Sequence, residues 1–195
     1  MANQFKVVVV LGSATKPGRL HRATGEALER AASDGIKSEL LDLGALTIAP
    51  ADGRPPEALS DDTAAVISSL STADAVVLAT PVYRGSLTGV LKNLLDHVPV
   101  EALEGKPTAI VAMGASHHHF LGADRHLRDV LTFFGALVTP IGLYLSSADF
   151  EDGAPTAKAA QQFDALLADL VDIAQARRGA PPPRLRPLTA ATKKT

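Results

Sequence analysis

Thr80-Pro81-Val82-Tyr83-Arg84-Gly85-Ser86-Leu87-Thr88-Gly89-Val90-Leu91-Lys92-Asn93-Leu94-Leu95-Asp96 decides the architecture of this chain. The residues just before it, Asp74-Ala75-Val76-Val77-Leu78-Ala79, form an apolar run of the kind buried on both faces of a parallel sheet. The residues after it place Val90, Leu91, Leu94, Leu95 and Val98 on one face of a 3.6-residue period, which predicts a helix. Between strand and helix sit a proline, one of the chain's two tyrosines, an arginine and two glycines. A loop just past the carboxyl end of a sheet strand is where open α/β folds bind their ligands.

The same alternation continues outward. A first strand is expected over 6–11, centred on Val7-Val8-Val9-Val10, and a helix over 20–32, broken by Asp34-Gly35. A short strand over 38–43 follows, then a loop over 48–58 with prolines at 50, 55 and 56. Ser60-Asp61-Asp62 reads as the capped start of a second helix through Leu70, with Val66, Ile67 and Leu70 inward. Beyond the opening loop and its helix, Gly105-Lys106-Pro107 makes a turn before a strand over 108–113. A fourth helix over 123–137 puts Leu127, Val130, Leu131, Phe134 and Leu137 on one face. A fifth strand over 138–145 is weakened at its start by Pro140, and a last helix over 156–178 buries Phe163, Leu166, Leu167, Leu170 and Val171. Five strands alternating with five helices make a doubly wound α/β fold with helices on both faces of a parallel sheet. The expected organisation is one domain over 1–178 and a basic, proline-rich, disordered tail over 179–195.

Bulk chemistry narrows the function classes. The 195 residues are 46% hydrophobic and 21% charged, an ordinary globular composition for one domain. No apolar run approaches the roughly 20 residues that span a bilayer, and the start enters a strand without the pattern of a signal peptide. With no cysteine there are no disulfides, thiolate nucleophiles or iron–sulfur clusters, which suits a cytoplasmic enzyme whose redox chemistry sits on a cofactor. The net charge is −2, yet Arg177, Arg178, Arg184, Arg186, Lys193 and Lys194 lie at the end with no acidic residue among them, so the body carries −8. An acidic body argues against nucleic acid as a partner.

Residues 80–96 closely resemble the flavin-contacting loop of the NAD(P)H-dependent FMN reductase family, whose pattern is roughly T-P-x-Y-x-(G/A)-(S/A)-x-(S/T)-G-x-L-K-x-x-L-D. Five strands with a flavin-type loop favour the flavodoxin-like order 2-1-3-4-5 over a six-stranded dinucleotide sheet. Three loops then meet at one sheet edge, over 12–20, 81–86 and 114–119. In the first, Ser13 and Thr15 offer hydroxyls, Lys16 and Arg19 offer charge, and the helix from Leu20 presents free backbone N–H groups to an anion. That is a phosphate cradle, although neither a P-loop nor a G-x-G-x-x-G turn. The family usually has G-S-x-R-x-x-S here. In this chain Thr15 replaces the arginine and Gly18 the second serine, leaving Lys16 and Arg19 to supply charge.

The resemblance lays Pro81, Val82, Tyr83, Arg84 and Gly85 along the flavin ring, with Arg84 able to pair with a phosphate of the nicotinamide nucleotide. It places Gly114, Ala115, Ser116 and His117 at the ring's pyrimidine edge and His119 at the nicotinamide. Three adjacent histidines point in different directions, so no metal is expected. The run 114–131 resembles the sulfonate-utilisation flavin reductases, in which an inserted residue makes a π-bulge; here Arg125-His126 occupies that region. The resemblance implies hydride transfer from NADPH or NADH to FMN without an acid–base triad, and reduced FMN leaving for a flavin-dependent monooxygenase. It also implies a homodimer or tetramer packed through the helix bearing Leu91, Leu94 and Leu95. The competing readings are an FMN-retaining quinone, azo or chromate reductase, and a flavodoxin-type electron carrier.

Overall fold

The computed structural model describes residues 5–15, 17–33 and 35–180. In chain order it runs β1 (Lys6–Leu11), α1 (Arg19–Ser33), β2 (Lys37–Asp42), α2 (Thr63–Thr72), β3 (Ala75–Pro81), α3 (Gly89–His97) and the short α4 (Val100–Leu103). Then come β4 (Pro107–Met113), α5 (Phe120–Phe134), β5 (Leu137–Val138), β6 (Leu143–Leu145), β7 (Phe150–Glu151), β8 (Ala154–Pro155) and α6 (Ala157–Arg177). The main sheet is parallel in the order β2-β1-β3-β4-β5, with β6 also paired to β4. This is the flavodoxin-like order expected from the sequence.

The valine run explains the three layers. Successive strand side chains point to opposite faces, so Val7, Val9 and Leu11 join α1 and α6 in one core, while Val8 and Val10 join α2, α3 and α5 in the other. A strand buried on both sides cannot alternate apolar with polar residues, and β1, β3 and β4 do not.

The expected fifth strand is interrupted. Leu137 and Val138 pair with Pro107 and Thr108, and pairing resumes only at Leu143, opposite Val111. Pro140 has no N–H to donate. At the gap Arg128 ties α5 to the chain, holding Asp124 at 2.7 Å and the Thr139 carbonyl at 2.9 Å. Gly142 is pressed so close that a Cβ there would sit 2.5 Å from Asp124 Oδ1.

The fourth expected helix, α5, spans 120–134 rather than 123–137. Gly135, at φ 68°, ends it in the left-handed conformation, and the Ala136 N–H folds back to the Leu131 carbonyl at 3.1 Å. Leu137 therefore opens β5. The helix is α throughout, with no π turn. The one-turn α4 and the β7–β8 hairpin were not expected from the sequence. Of the expected tail, residues 181–195 lie outside the described residues.

Candidate functional site

α1 follows β1 into one helical layer and α3 follows β3 into the other. Where neighbouring connections leave in opposite directions the sheet edge opens into a crevice. Loop one enters it through Gly12, whose N–H donates to the Ala79 carbonyl at 2.7 Å and whose carbonyl accepts the Thr88 hydroxyl at 2.6 Å. Thr88 also caps α3, accepting the Leu91 N–H at 3.3 Å. One buried threonine thus ties loop one to loop two.

The Ser13 and Thr15 hydroxyls lie 3.0 Å apart. Their backbone rests on Gly44, where a Cβ would come within 2.8 Å of the Thr15 carbonyl oxygen. In α1 the Arg22 N–H bonds to the Gly18 carbonyl at 3.0 Å, so the N–H groups of Arg19, Leu20 and His21 have no partner within the helix. They carry the positive end of the helix dipole. A cavity of about 210 Å³ opens in front of them, lined by Ser13, Thr15, Arg19, Leu20 and His21 on one side and by Leu11, Pro81, Tyr83 and Met113 on the other. The Arg19 guanidinium lies 5.4 Å over the Phe150 ring, so the β7–β8 hairpin steadies it there.

Loop two is a two-residue hairpin. Tyr83 and Ser86 exchange both backbone hydrogen bonds, at 3.0 and 3.1 Å, around Arg84 at φ 53° and Gly85 at φ 78°. Two positive φ angles make a type I′ turn. Glycine takes this shape freely, whereas an arginine in the left-handed region costs about 1–2 kcal/mol. Such strain concentrates where ligands are held. The turn sits on α5, with the Ser86 hydroxyl 2.8 Å from His126 Nδ1, and a Cβ on Gly122 would lie only 2.3 Å from the Gly85 carbonyl oxygen. Tyr83 is 48% exposed, not packed under the sheet edge.

Loop three is shaped by Tyr144 on β6. Its hydroxyl donates to the Ser116 carbonyl at 2.6 Å and passes so near Gly114 that a Cβ there would be 2.0 Å away. Burial pushes the Tyr144 phenol above its usual pKa, which keeps it a donor. His117, His118 and His119 make one 3₁₀ turn, with His117 Nε2 on Ser146 Oγ at 3.3 Å and His118 Nδ1 on Ser116 Oγ at 3.2 Å. Among the described residues no three His, Cys, Asp or Glu side chains group as metal ligands.

Comparison with known proteins gives the family. Residues 5–151 match the family described as NADPH-dependent FMN reductase. The chain belongs to this family. It is 35% identical over 153 residues to the NADH-dependent FMN reductase SfnF of Pseudomonas fluorescens, covering 78% of this chain and 82% of that protein. It is 36% identical over 157 residues to an FMN reductase (NADPH) of Pseudomonas aeruginosa, with the same two coverages. The apo crystal structure of the NADH:FMN oxidoreductase EMOB superposes with a TM-score of 0.73 at 24% identity, covering 88% of this chain and 89% of that one. This FMN reductase is therefore an oxidoreductase that uses NAD(P)H and FMN.

Within the reductase, Ser13, Thr15, Arg19, Leu20, Pro81 and Tyr83 come together around one cavity. Val82 extends the sheet, donating to the Met113 carbonyl at 2.8 Å, and Arg84 and Gly85 form the adjacent turn. Gly114, Ala115, Ser116 and His117 do not line that cavity but form the next loop along the sheet edge. Lys16 and the side chain of His119 lie outside the described residues. Sequence reasoning missed His21, Tyr144, Gly122 and Phe150. His21 was within reach, because a helix starting at Arg19 brings its third residue to the same N-terminal turn. The other three come from distant elements, and nothing local in the sequence marks them.

Proposed function

We propose that this reductase binds FMN with its phosphate in loop one and its ring along Tyr83 and loop three, and that it supplies reduced FMN to a flavin-dependent monooxygenase in the cytoplasm. The observation that carries the binding mode is the two-sided lining of the 210 Å³ cavity. Hydroxyls, helix N–H groups and Arg19 fit a phosphate dianion, while Leu11, Pro81, Tyr83 and Met113 fit the carbon skeleton attached to it. Bound FMN would supply the hydride-accepting ring; the chain's own residues bind, orient and exclude water. Tyr83 stays half exposed, so the ring it borders remains open to a second planar ligand, NADPH or NADH. Arg84, held out on a strained turn, pairs with a phosphate of that nucleotide. With no acid or base required at the reacting atoms, the work of this site is stacking and orientation.

Arg19→Ala is expected to weaken FMN binding by about 1 kcal/mol, the scale of a charge-assisted contact at a partly exposed site. Riboflavin, which lacks the phosphate, is expected to respond far less. Equal losses for both flavins in fluorescence titrations would show that loop one does not hold phosphate.

We likewise propose a homodimer or tetramer that exchanges FMN freely, as transfer to a monooxygenase requires. α3 buries Leu91, Leu94 and Leu95 within its own subunit, so any partner must meet its outer face, where Lys92 and Asp96 form an i,i+4 ion pair. Sedimentation with added FMN, read at protein and flavin wavelengths, is expected to show a species heavier than one 20.3 kDa chain with flavin in rapid exchange. A single 20.3 kDa species at micromolar concentration, or flavin that never dissociates, would contradict the proposal.

A further inference from the structure

The Ser146 hydroxyl stands between Asp149 and His117. Ser146, 1% exposed, follows β6 and begins a capping box, and its N–H donates to Asp149 Oδ2 at 2.7 Å. Its Oγ lies 2.9 Å from the same carboxylate oxygen, 3.3 Å from the Ala148 N–H and 3.3 Å from His117 Nε2. An ionised carboxylate only accepts, so the hydroxyl commits its single hydrogen to Asp149. Oγ then accepts from its other two neighbours, and His117 must meet it as a donor. In the neutral imidazole this leaves the hydrogen on Nε2 and the lone pair on Nδ1. Nδ1 has no hydrogen-bond partner among the described residues, and His117 is exposed. A capping box closes its own turn without any histidine, so the contact to His117 is an addition to it.

We propose that Ser146 and Asp149 are positioning residues that hold His117 as the Nε2–H tautomer, so that Nδ1 accepts a hydrogen bond from the imide N–H of bound flavin. This rests on the FMN reading above. β3 separates β1 from β4 in the sheet. A flavin whose phosphate sits at loop one therefore reaches loop three with the far edge of its ring, and that edge carries one imide N–H between two carbonyls. Tyr144 fixes the loop from below through the Ser116 carbonyl, which leaves the imidazole a defined place to stand.

The test is long-range ¹H–¹⁵N spectroscopy of the labelled protein, with the His117 signals identified by their loss in His117→Ala. The neutral ring is expected as Nε2–H in the parent and in Ser146→Thr, which keeps the hydroxyl. Ser146→Ala is expected to give mixed tautomers. Asp149→Ala frees the hydroxyl to donate to Nε2 and is expected to flip the ring to Nδ1–H. Binding is then measured with FMN and N3-methyl-FMN, which lacks the imide hydrogen. The parent is expected to prefer FMN roughly 2- to 10-fold more than His117→Ala or Ser146→Ala do, the range of one hydrogen bond. An Nδ1–H ring in the parent, or a tautomer unmoved by Ser146→Ala and Asp149→Ala, overturns the positioning role. An unchanged preference in His117→Ala overturns the imide contact. Failure of the parent to bind either flavin overturns the FMN reading itself, which the tautomer spectra do not depend on.

Discussion

Gly122→Ala is expected to lower kcat/KM for the nicotinamide nucleotide by about 100-fold and to weaken FMN binding, while the protein stays folded. The new methyl would lie 2.3 Å from the Gly85 carbonyl oxygen and 3.1 Å from its carbon, and both are backbone atoms that cannot rotate away. The turn is closed by the reciprocal Tyr83–Ser86 bonds, so it must move as a unit and carry Tyr83 and Arg84 with it. A displacement of about 1 Å in a positioning element costs on the order of 10²-fold in rate. Gly122 itself touches no ligand in this account, so parent-like steady-state kinetics and flavin titrations would show that the turn does not position the reaction.

Gly12→Ala is expected to destabilise the fold by about 3 kcal/mol. The added Cβ would stand 2.7 Å from the Cβ of Leu91, a residue with no exposed surface, and 3.0 Å from its Cδ2. Overpacking of this kind costs about 1–3 kcal/mol. Forcing the end of β1 away from α3 also breaks the 2.6 Å bond from Thr88 to the Gly12 carbonyl, worth about 1 kcal/mol more. Gly25→Ala is the control. It lies on α1 with no atom within 4 Å of its new Cβ, and its effect is expected to be a gain of up to about 1 kcal/mol. Urea unfolding that gives Gly12→Ala the midpoint of the parent would refute this account of the loop.

Both predictions depend on contacts between residues far apart in the chain, and this divides what the sequence reveals from what it hides. The strand of four valines and the 3.6-residue stripes are local patterns that yield the alternation of strands and helices, and the resemblance carried by the loop over 80–96 adds the sheet order and the place of the crevice. The break at Thr139 to Gly142 is local only in Pro140; its extent is set by Arg128 reaching across from α5. Asp61 shows the same limit. Read as a capping residue, it accepts the Thr63 N–H at 2.9 Å but also pins the Ala49 N–H at 2.7 Å, and these bonds hold its carboxyl below the usual pKa. Glycine spacing likewise identifies Gly85 as a turn residue without disclosing that Gly122 is the surface it rests on. Tyr144 remained invisible because its role lies in one bond to a backbone carbonyl 28 positions away.

Hydride passage from a nicotinamide nucleotide to FMN in this crevice is tested most directly by the rate of NADPH and NADH oxidation by the purified chain, with and without added FMN, in parent and Gly122→Ala protein. Oxidation is expected to rise and saturate with FMN in the parent and to fall about 100-fold in the variant, the loss expected from a misplaced turn. Oxidation no faster with FMN than without it would show that hydride does not pass to FMN in this crevice.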